Sequence, residues 1–345
     1  MDGSCDVSNK ICRYNVEGME VMREMRFDLV EKGYTLRQHE KVISNLHKNQ
    51  NTMMKPKTNR SKWAKGLDVK DLTREKASVV FHAGCRYSYD EGLQNIARTA
   101  VNVLLKAGVD IGIMGEEESC CSGRVYQWGY RKELKGFANK NVKAWTNAEV
   151  KTIVTPCSEC YYAFKRLYPE IGYKFEVLHV VEYIDRLIKE GKLKLKKSVP
   201  LTITYHDPCH LGRLGEPYVP WKGKRKKIYG QIPIWDPPKP RYIGAWGIYD
   251  APRDVLKSIP GLKLVEMERI REYAWCCGAG GGVLEAYPDF ASWTAIERLE
   301  EAKSTGAEAI VTACPWCERN FTGAAKLNND NLKVYDIVEL VQKAI

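Results

Sequence analysis

Two pairs of adjacent cysteines, Cys120-Cys121 and Cys276-Cys277, occupy matching places in two copies of one pattern. This internal repeat constrains the fold of the 345-residue chain more than any other feature. In the first copy 34 residues separate Cys85 from Cys120, and 35 separate Cys121 from Cys157. In the second, 66 separate Cys209 from Cys276, and 36 separate Cys277 from Cys314. Cys157 and Cys314 each open a Cys-x-x-Cys, closed by Cys160 and Cys317. The flanks agree as well. His82-Ala83-Gly84-Cys85 is answered by His206-Asp207-Pro208-Cys209, and Ile153-Val154-Thr155-Pro156-Cys157 by Ile310-Val311-Thr312-Ala313-Cys314. Val180-Val181-Glu182 is answered by Ile337-Val338-Glu339. Only the first gap differs in length, so the chain reads as two homologous domains related by a pseudo-two-fold axis.

Within each copy, short β-branched runs alternate with longer segments of helical periodicity, which predicts an α/β fold with parallel sheets wrapped by helices. Strands are predicted at Ser78 to His82, Ile111 to Met114, Thr152 to Thr155, Phe175 to Leu178 and Leu201 to Tyr205; helices are predicted over 90–106, 126–147 and 180–189. Ten cysteines then fall at or just after the carboxyl ends of strands, where open α/β sheets place their ligands. The expected division is a helical N-terminal extension and linker (1–75), a first domain (76–196) and a second (197–345) with an insertion at about 214–244. In the extension, apolar residues from Met19 to Val30 predict one helix stopped by Gly33, and Val42, Ile43 and Leu46 a second; 49–60 reads as irregular. Cys5 and Cys12 stand apart from the repeat and read as ordinary thiols.

At 44% hydrophobic and 28% charged, the chain can bury two cores of ordinary size. Its twelve cysteines are too many for inert filling and too few for a disulfide-dense secreted scaffold. The start is polar and no apolar run approaches a membrane span, so a reducing cytoplasm is expected. The net charge of +11 comes without any nucleic-acid-binding motif, which favours acidic partners or an anionic substrate over nucleic acid. Five sulfurs with an adjacent pair fit a four-ligand zinc tetrahedron poorly and an iron–sulfur cluster better, with glycine-rich backbone beside the pair facing its charge. Zinc in one site, or a zinc-stabilised scaffold without redox function, is the alternative.

The two cysteine sets, with His206-Asp207-Pro208-Cys209-His210-Leu211-Gly212-Arg213 and Trp275-Cys276-Cys277-Gly278-Ala279-Gly280-Gly281-Gly282, resemble the CCG-domain pair of the heterodisulfide reductase B and D subunits. The resemblance covers residues 49–345. It implies that Cys85, Cys120, Cys121, Cys157 and Cys160 hold one [4Fe–4S] cluster of non-cubane type, and that Cys209, Cys276, Cys277, Cys314 and Cys317 hold another. It further implies an oxidoreductase subunit passing electrons to or from a substrate between the domains. Two departures stand out. The first copy has Cys121-Ser122-Gly123 in place of Cys-Cys-Gly, which leaves its cluster type open, and the ferredoxin module of D-type relatives is absent ahead of the repeats. Electrons would then come from flavin- and ferredoxin-like partner subunits.

The insertion, rich in Pro, Trp, Lys and Arg, reads either as a solvated loop or as a docking arm for an acidic partner. It is similar to the heterodisulfide-reductase-like subunit of class II benzoyl-CoA reductase complexes, which would make an acyl-CoA reductase a partner; direct reduction of a disulfide by this chain is the other possibility. His82, His179, His206 and His210 lie at the cysteine pole, with His206 and His210 as candidate proton donors and His179 as a partner for a strand-end carbonyl. Anaerobically purified protein is expected to carry iron together with acid-labile sulfide; near-stoichiometric zinc without sulfide would sink the redox reading.

Overall fold

The structure is a computed structural model that describes residues 18–345. Its strands, in chain order, are β1 (Lys70–Asp71), β2 (Val79–Phe81), β3 (Ile111–Ile113), β4 (Thr152–Thr155), β5 (Glu176–His179), β6 (Leu201–Tyr205), β7 (Lys224–Ile228), β8 (Ile232–Asp236), β9 (Leu262–Leu264), β10 (Ala309–Thr312) and β11 (Lys333–Asp336). One parallel sheet runs β1-β3-β2-β4-β5 and a second, also parallel, runs β11-β10-β6-β9. Without β1, both have the order second-first-third-fourth, so the sequence repeat is realised as one topology used twice. The central strands are apolar on both faces, as sheets covered by helices on each side require; Val80, Phe81, Ile153, Ile203, Ile310 and Val311 are fully buried.

Most expected elements form where periodicity placed them, including the helix Val180–Lys189 and β4 and β6 to the residue. Three differ. The segment 126–147 is not one helix but two, Gly123–Gln127 and Arg131–Asn147, interrupted at Gly129. Gly129 has φ 106°, and a Cβ there would lie 2.6 Å from the carbonyl oxygen of Arg26. The break is thus where the helix Gly18–Glu31 comes to rest against the first domain. The insertion is not simply a loop: β7 and β8 form an antiparallel hairpin that pairs with neither main sheet. Finally β9, the second strand of copy two, follows an insertion that hid its correspondence to β3, and β1 from the N-terminal extension lengthens the first sheet.

The extension also covers the cysteine pole. Val42, Ile43 and Leu46, on one face of the helix Arg37–Asn49, pack with Cys85, Cys120, Val125, Trp128 and Phe137 in a small core of their own. As the final residue of the last strand of each copy, His179 and Asp336 occupy the same repeat position and cap the following helix reciprocally with Glu182 and Glu339. His179 Nδ1 accepts from the Val181 amide at 3.3 Å, a capping role added to the one expected for it, since the ring also faces the backbone carbonyls of Pro156 and Ala313. Cys5 and Cys12 lie outside the described residues. Gly129→Ala is expected to lower stability by about 1–3 kcal/mol from the left-handed backbone alone, and more from displacement of the N-terminal helix; thermal denaturation checks this.

Candidate metal centres

Each cysteine is delivered by the same part of its copy. Cys85 lies in the helix Gly84–Tyr89 after β2, and Cys209 in the turn after β6; the vicinal pairs lie in loops beyond β3 and β9. Cys157 and Cys314 are N-cap residues of the helices that follow β4 and β10, and Cys160 and Cys317 sit one turn inside those helices. All ten thiols are free, and all but the half-buried Cys209 are buried. Their sulfurs line up in hydrogen-bonding sequence Cys85, Cys120, Cys121, Cys160, Cys157 in one set, and Cys209, Cys276, Cys277, Cys317, Cys314 in the other. The neighbour order is identical. Within the first set, the Cys160 and Cys121 Sγ atoms are 3.3 Å apart.

The turn after each vicinal pair answers the question raised by Ser122. Ser122 has φ 64° and its amide donates to Cys120 Sγ at 3.3 Å; Gly278 has φ 85° and its amide donates to Cys276 Sγ at the same 3.3 Å. The two turns are alike although only one carries glycine. In the second copy glycine is required, because a Cβ at Gly278 would come 2.4 Å from the Ala291 carbonyl oxygen. In the first copy a serine fits, at the expense of left-handed strain and a buried hydroxyl without a partner. The glycine run is only partly sulfur-facing. The amides of Gly278 and Ala279 reach Cys276 and Cys277, but Gly282 turns the other way, its carbonyl 3.0 Å from His39 Nε2 in the N-terminal extension.

Buried side chains hold the vicinal pairs and balance their charge, and sequence reasoning did not single them out. Asn141 donates to the Cys120 carbonyl at 3.2 Å and Asn320 to the Cys277 carbonyl at 2.5 Å, so each loop is pinned by an amide from a neighbouring helix. Arg60, only 1% exposed, binds Glu118 at 2.7 Å and points Nη1 at Cys85 Sγ, 3.4 Å away. Arg213 donates to the carbonyls of Glu272 and Ala274 beside the second set. Between the two sets Arg124 spans the domains, bound to Glu285 at 2.7 Å, to the Ala279 carbonyl at 3.0 Å and to Glu159 at 3.5 Å, with its guanidinium 3.6 Å above the Trp316 ring. Arg213 alone lay in a quoted motif; a lone Arg or Asn elsewhere carries no sequence signal of burial.

Burial pushes the His82 imidazole down to about 4 and those of His179 and His210 to about 3, with His206 also well below its ordinary value, so all four are neutral near pH 7. His206 Nδ1 accepts from Arg298 Nε at 3.3 Å, which leaves its proton on the other ring nitrogen. His210 Nδ1 lies 3.3 Å from Cys209 Sγ. Hydrogen bonds stabilise thiolates in both sets: those from Cys120 and Cys160 pull Cys121 down to about 7, those from Cys209 and Cys277 hold Cys276 well below the usual thiol range, and those from the Cys317 thiol and the Cys317 and Trp316 amides lower Cys314.

The donor set fits an iron–sulfur cluster. Five soft sulfurs converge in each copy, main-chain amides already point at them, and glycine at position 84 leaves room where a Cβ would lie 2.8 Å from Cys160 Sγ. A ring nitrogen of His206 and the sulfurs of Cys277 and Cys317 lie within 4.8 Å of one another, enough for one divalent ion, but such a site would leave Cys209, Cys276 and Cys314 unused. Cys277→Ser is expected to remove the electron paramagnetic signal and the iron of one cluster while leaving the other; unchanged spectra would count against this ligand set.

The CCG cysteine-rich domain model matches residues 79–165 and 241–322. The second match begins beyond Cys209, which the insertion separates from the rest of its set. The D subunit of dihydromethanophenazine:CoB–CoM heterodisulfide reductase from Methanosarcina mazei is 34% identical over 99% of this chain and 76% of its own length. The probable iron-sulfur-binding oxidoreductase FadF of Bacillus subtilis is 32% identical over 80% of this chain and 36% of its own, and the EtfAB:quinone oxidoreductase of Syntrophomonas wolfei 28% identical over 99% and 46%. Among solved structures, a hypothetical protein from Helicobacter pylori shares the fold with a TM-score of 0.53 at 12% identity, covering 77% of this chain and 48% of that one. With two CCG domains, two five-cysteine poles and 34% identity across 99% of its length to a heterodisulfide reductase relative, this chain belongs to the CCG-domain family of heterodisulfide-reductase-like iron–sulfur oxidoreductase subunits.

Proposed function

We propose that the chain relays electrons within a multi-subunit complex, with Cys85, Cys120, Cys121, Cys157 and Cys160 as ligands of one [4Fe–4S] cluster of non-cubane type and Cys209, Cys276, Cys277, Cys314 and Cys317 as ligands of a second. The observation that carries this reading is the identical neighbour order of two five-thiol sets that meet across the domain boundary, where the Cys157 and Cys314 thiols are close enough to interact electrostatically. Clusters bound there would supply one-electron acceptance and donation. The chain's own part is to neutralise and orient. Arg60 and Arg213 set positive charge beside Cys85 and Cys209, and Arg124 fixes the two copies against each other through Glu159 and Glu285. The hydrogen bond from Ser158 Oγ to the Ala313 carbonyl, 2.7 Å, and that from Tyr87 to Asp336, 2.9 Å, add to the same contact. Flavin- and ferredoxin-like subunits in a reducing cytoplasm would be its donors, and an acyl-CoA reductase of the benzoyl-CoA type a terminal partner.

A second reading, direct reduction of a disulfide, is favoured by one feature. A pocket of about 20 Å³ at the first set is lined by its five cysteines together with Arg86, Arg124, Glu159 and Trp316; it admits no more than a water-sized group, so a disulfide would meet these sulfurs only at the pocket mouth. Under that reading His206 and His210 are the groups that would hold a proton beside the second set. The two readings are separated by mixing anaerobic, viologen-reduced protein with a mixed disulfide formed from two different thiols. The relay predicts cluster spectra that persist as long as in buffer; reoxidation with release of two thiols would establish the direct reaction and overturn the relay as the chain's sole task.

A further inference from the structure

We infer that the hairpin of β7 and β8 docks the protein peripherally onto an anionic membrane surface. This goes beyond the redox reading and does not rest on it. The hairpin pairs with neither main sheet, and every residue from Lys224 to Ile232 is exposed, so it projects from the body as a finger. Its tip is largely apolar: Ile228 faces Ile232 across the ladder, and between them the turn Tyr229-Gly230-Gln231, with positive φ at Tyr229 and Gly230, presents Tyr229 at 91% exposure, Gln231 being the one polar side chain there. Its stem is basic. Lys224, Arg225 and Lys227 lie exposed along β7, while Lys226 is tied to Asp236 on the opposite strand. At the base of the insertion Val219 and Trp246 add further exposed apolar and aromatic surface, with Trp246 at 80%, while the partly exposed Trp235 packs edge-on against Trp221 and beneath Lys239.

A folded protein seldom leaves so many large apolar side chains in water at one place without using them. The order along the finger identifies the partner. Lysine and arginine behind an isoleucine and tyrosine tip match the depth profile of an anionic bilayer, whose phosphates lie outside its hydrocarbon. An acidic protein surface would offer charge to the stem but no apolar depth for a tip exposed on both faces. Among the described residues no helix is long and apolar enough to cross a membrane, so the attachment is at the surface.

The test is co-sedimentation of the intact, anaerobically purified protein with vesicles of phosphatidylglycerol mixed with phosphatidylcholine, against vesicles of phosphatidylcholine alone. The protein is expected to bind the anionic vesicles and to weaken as salt rises. Two variants separate the contributions: K224E/R225E/K227E in the stem, and I228S/Y229S/I232S at the tip. Each is expected to lower the partition coefficient about tenfold or more, with iron content and melting temperature unchanged because the hairpin belongs to neither core sheet. Absence of binding to anionic vesicles overturns the inference, as does loss in the stem variant with full binding in the tip variant, which would mean adsorption by charge without insertion. Wild-type protein that ignores vesicles but binds a partner protein through these same residues would assign the hairpin to an acidic protein and equally overturn it.

Discussion

Five thiols side by side in a buried space repel one another as soon as more than one is ionised, and a buried thiolate has little water to stabilise it. Everything around the two cysteine sets can be read as an answer to that problem. Main-chain amides of Ser122, Gly278 and Ala279 point at sulfur, Arg60 and Arg213 bring positive charge to the first cysteine of each set, and Cys157 and Cys314 begin helices, whose N-termini favour negative charge. Without a metal only some thiols of each set ionise readily: Cys121, Cys276 and Cys314 are lowered, while their neighbours Cys85, Cys120 and Cys277 are raised. A metal–sulfide cluster would turn the same arrangement into a stable coordination sphere, because metal ligation replaces the proton that each thiol otherwise keeps.

The copies are alike in backbone and unlike in what supports it. Ser122 and Gly278 adopt the same left-handed conformation, yet only Gly278 is pressed by the Ala291 carbonyl. Arg60 reaches the first set from the N-terminal extension, whereas Arg213 comes from within the second copy. His179 and Asp336 make the same capping box with different chemistry. The backbone around the sulfurs is shared, and each copy carries its own compensating charge.

The N-terminal extension and the insertion are the parts that break the repeat, and both lie where the copies need covering or contact. Helix Arg37–Asn49 buries Val42, Ile43 and Leu46 against Cys85 and Cys120, and His39 stacks on Trp128 with ring centroids 4.3 Å apart while touching Gly282 of the other copy. The extension therefore clamps both domains at the sulfur pole. The hairpin does the reverse and turns outward, leaving both core sheets unchanged.

Period and spacing alone determined the α/β class, the repeat and the ten cysteines, because strand alternation, helix periodicity and thiol positions are properties of consecutive residues. Sequence read the insertion as loop or arm and missed the hairpin, since Pro and charge obscure alternation in a strand with no buried face. It read the glycine run as facing the cluster throughout, but the direction of a carbonyl depends on what packs behind it, and Gly282 faces His39. It could not foresee Arg60, Arg124, Asn141 or Asn320, which act only because folding brings them 21 to 161 residues along the chain to their partners. The two five-cysteine sets were legible because cysteine declares its chemistry wherever it stands; the charges that make so many buried thiols tolerable together were decided by tertiary structure, because an arginine or asparagine declares nothing until it is buried beside something that needs it.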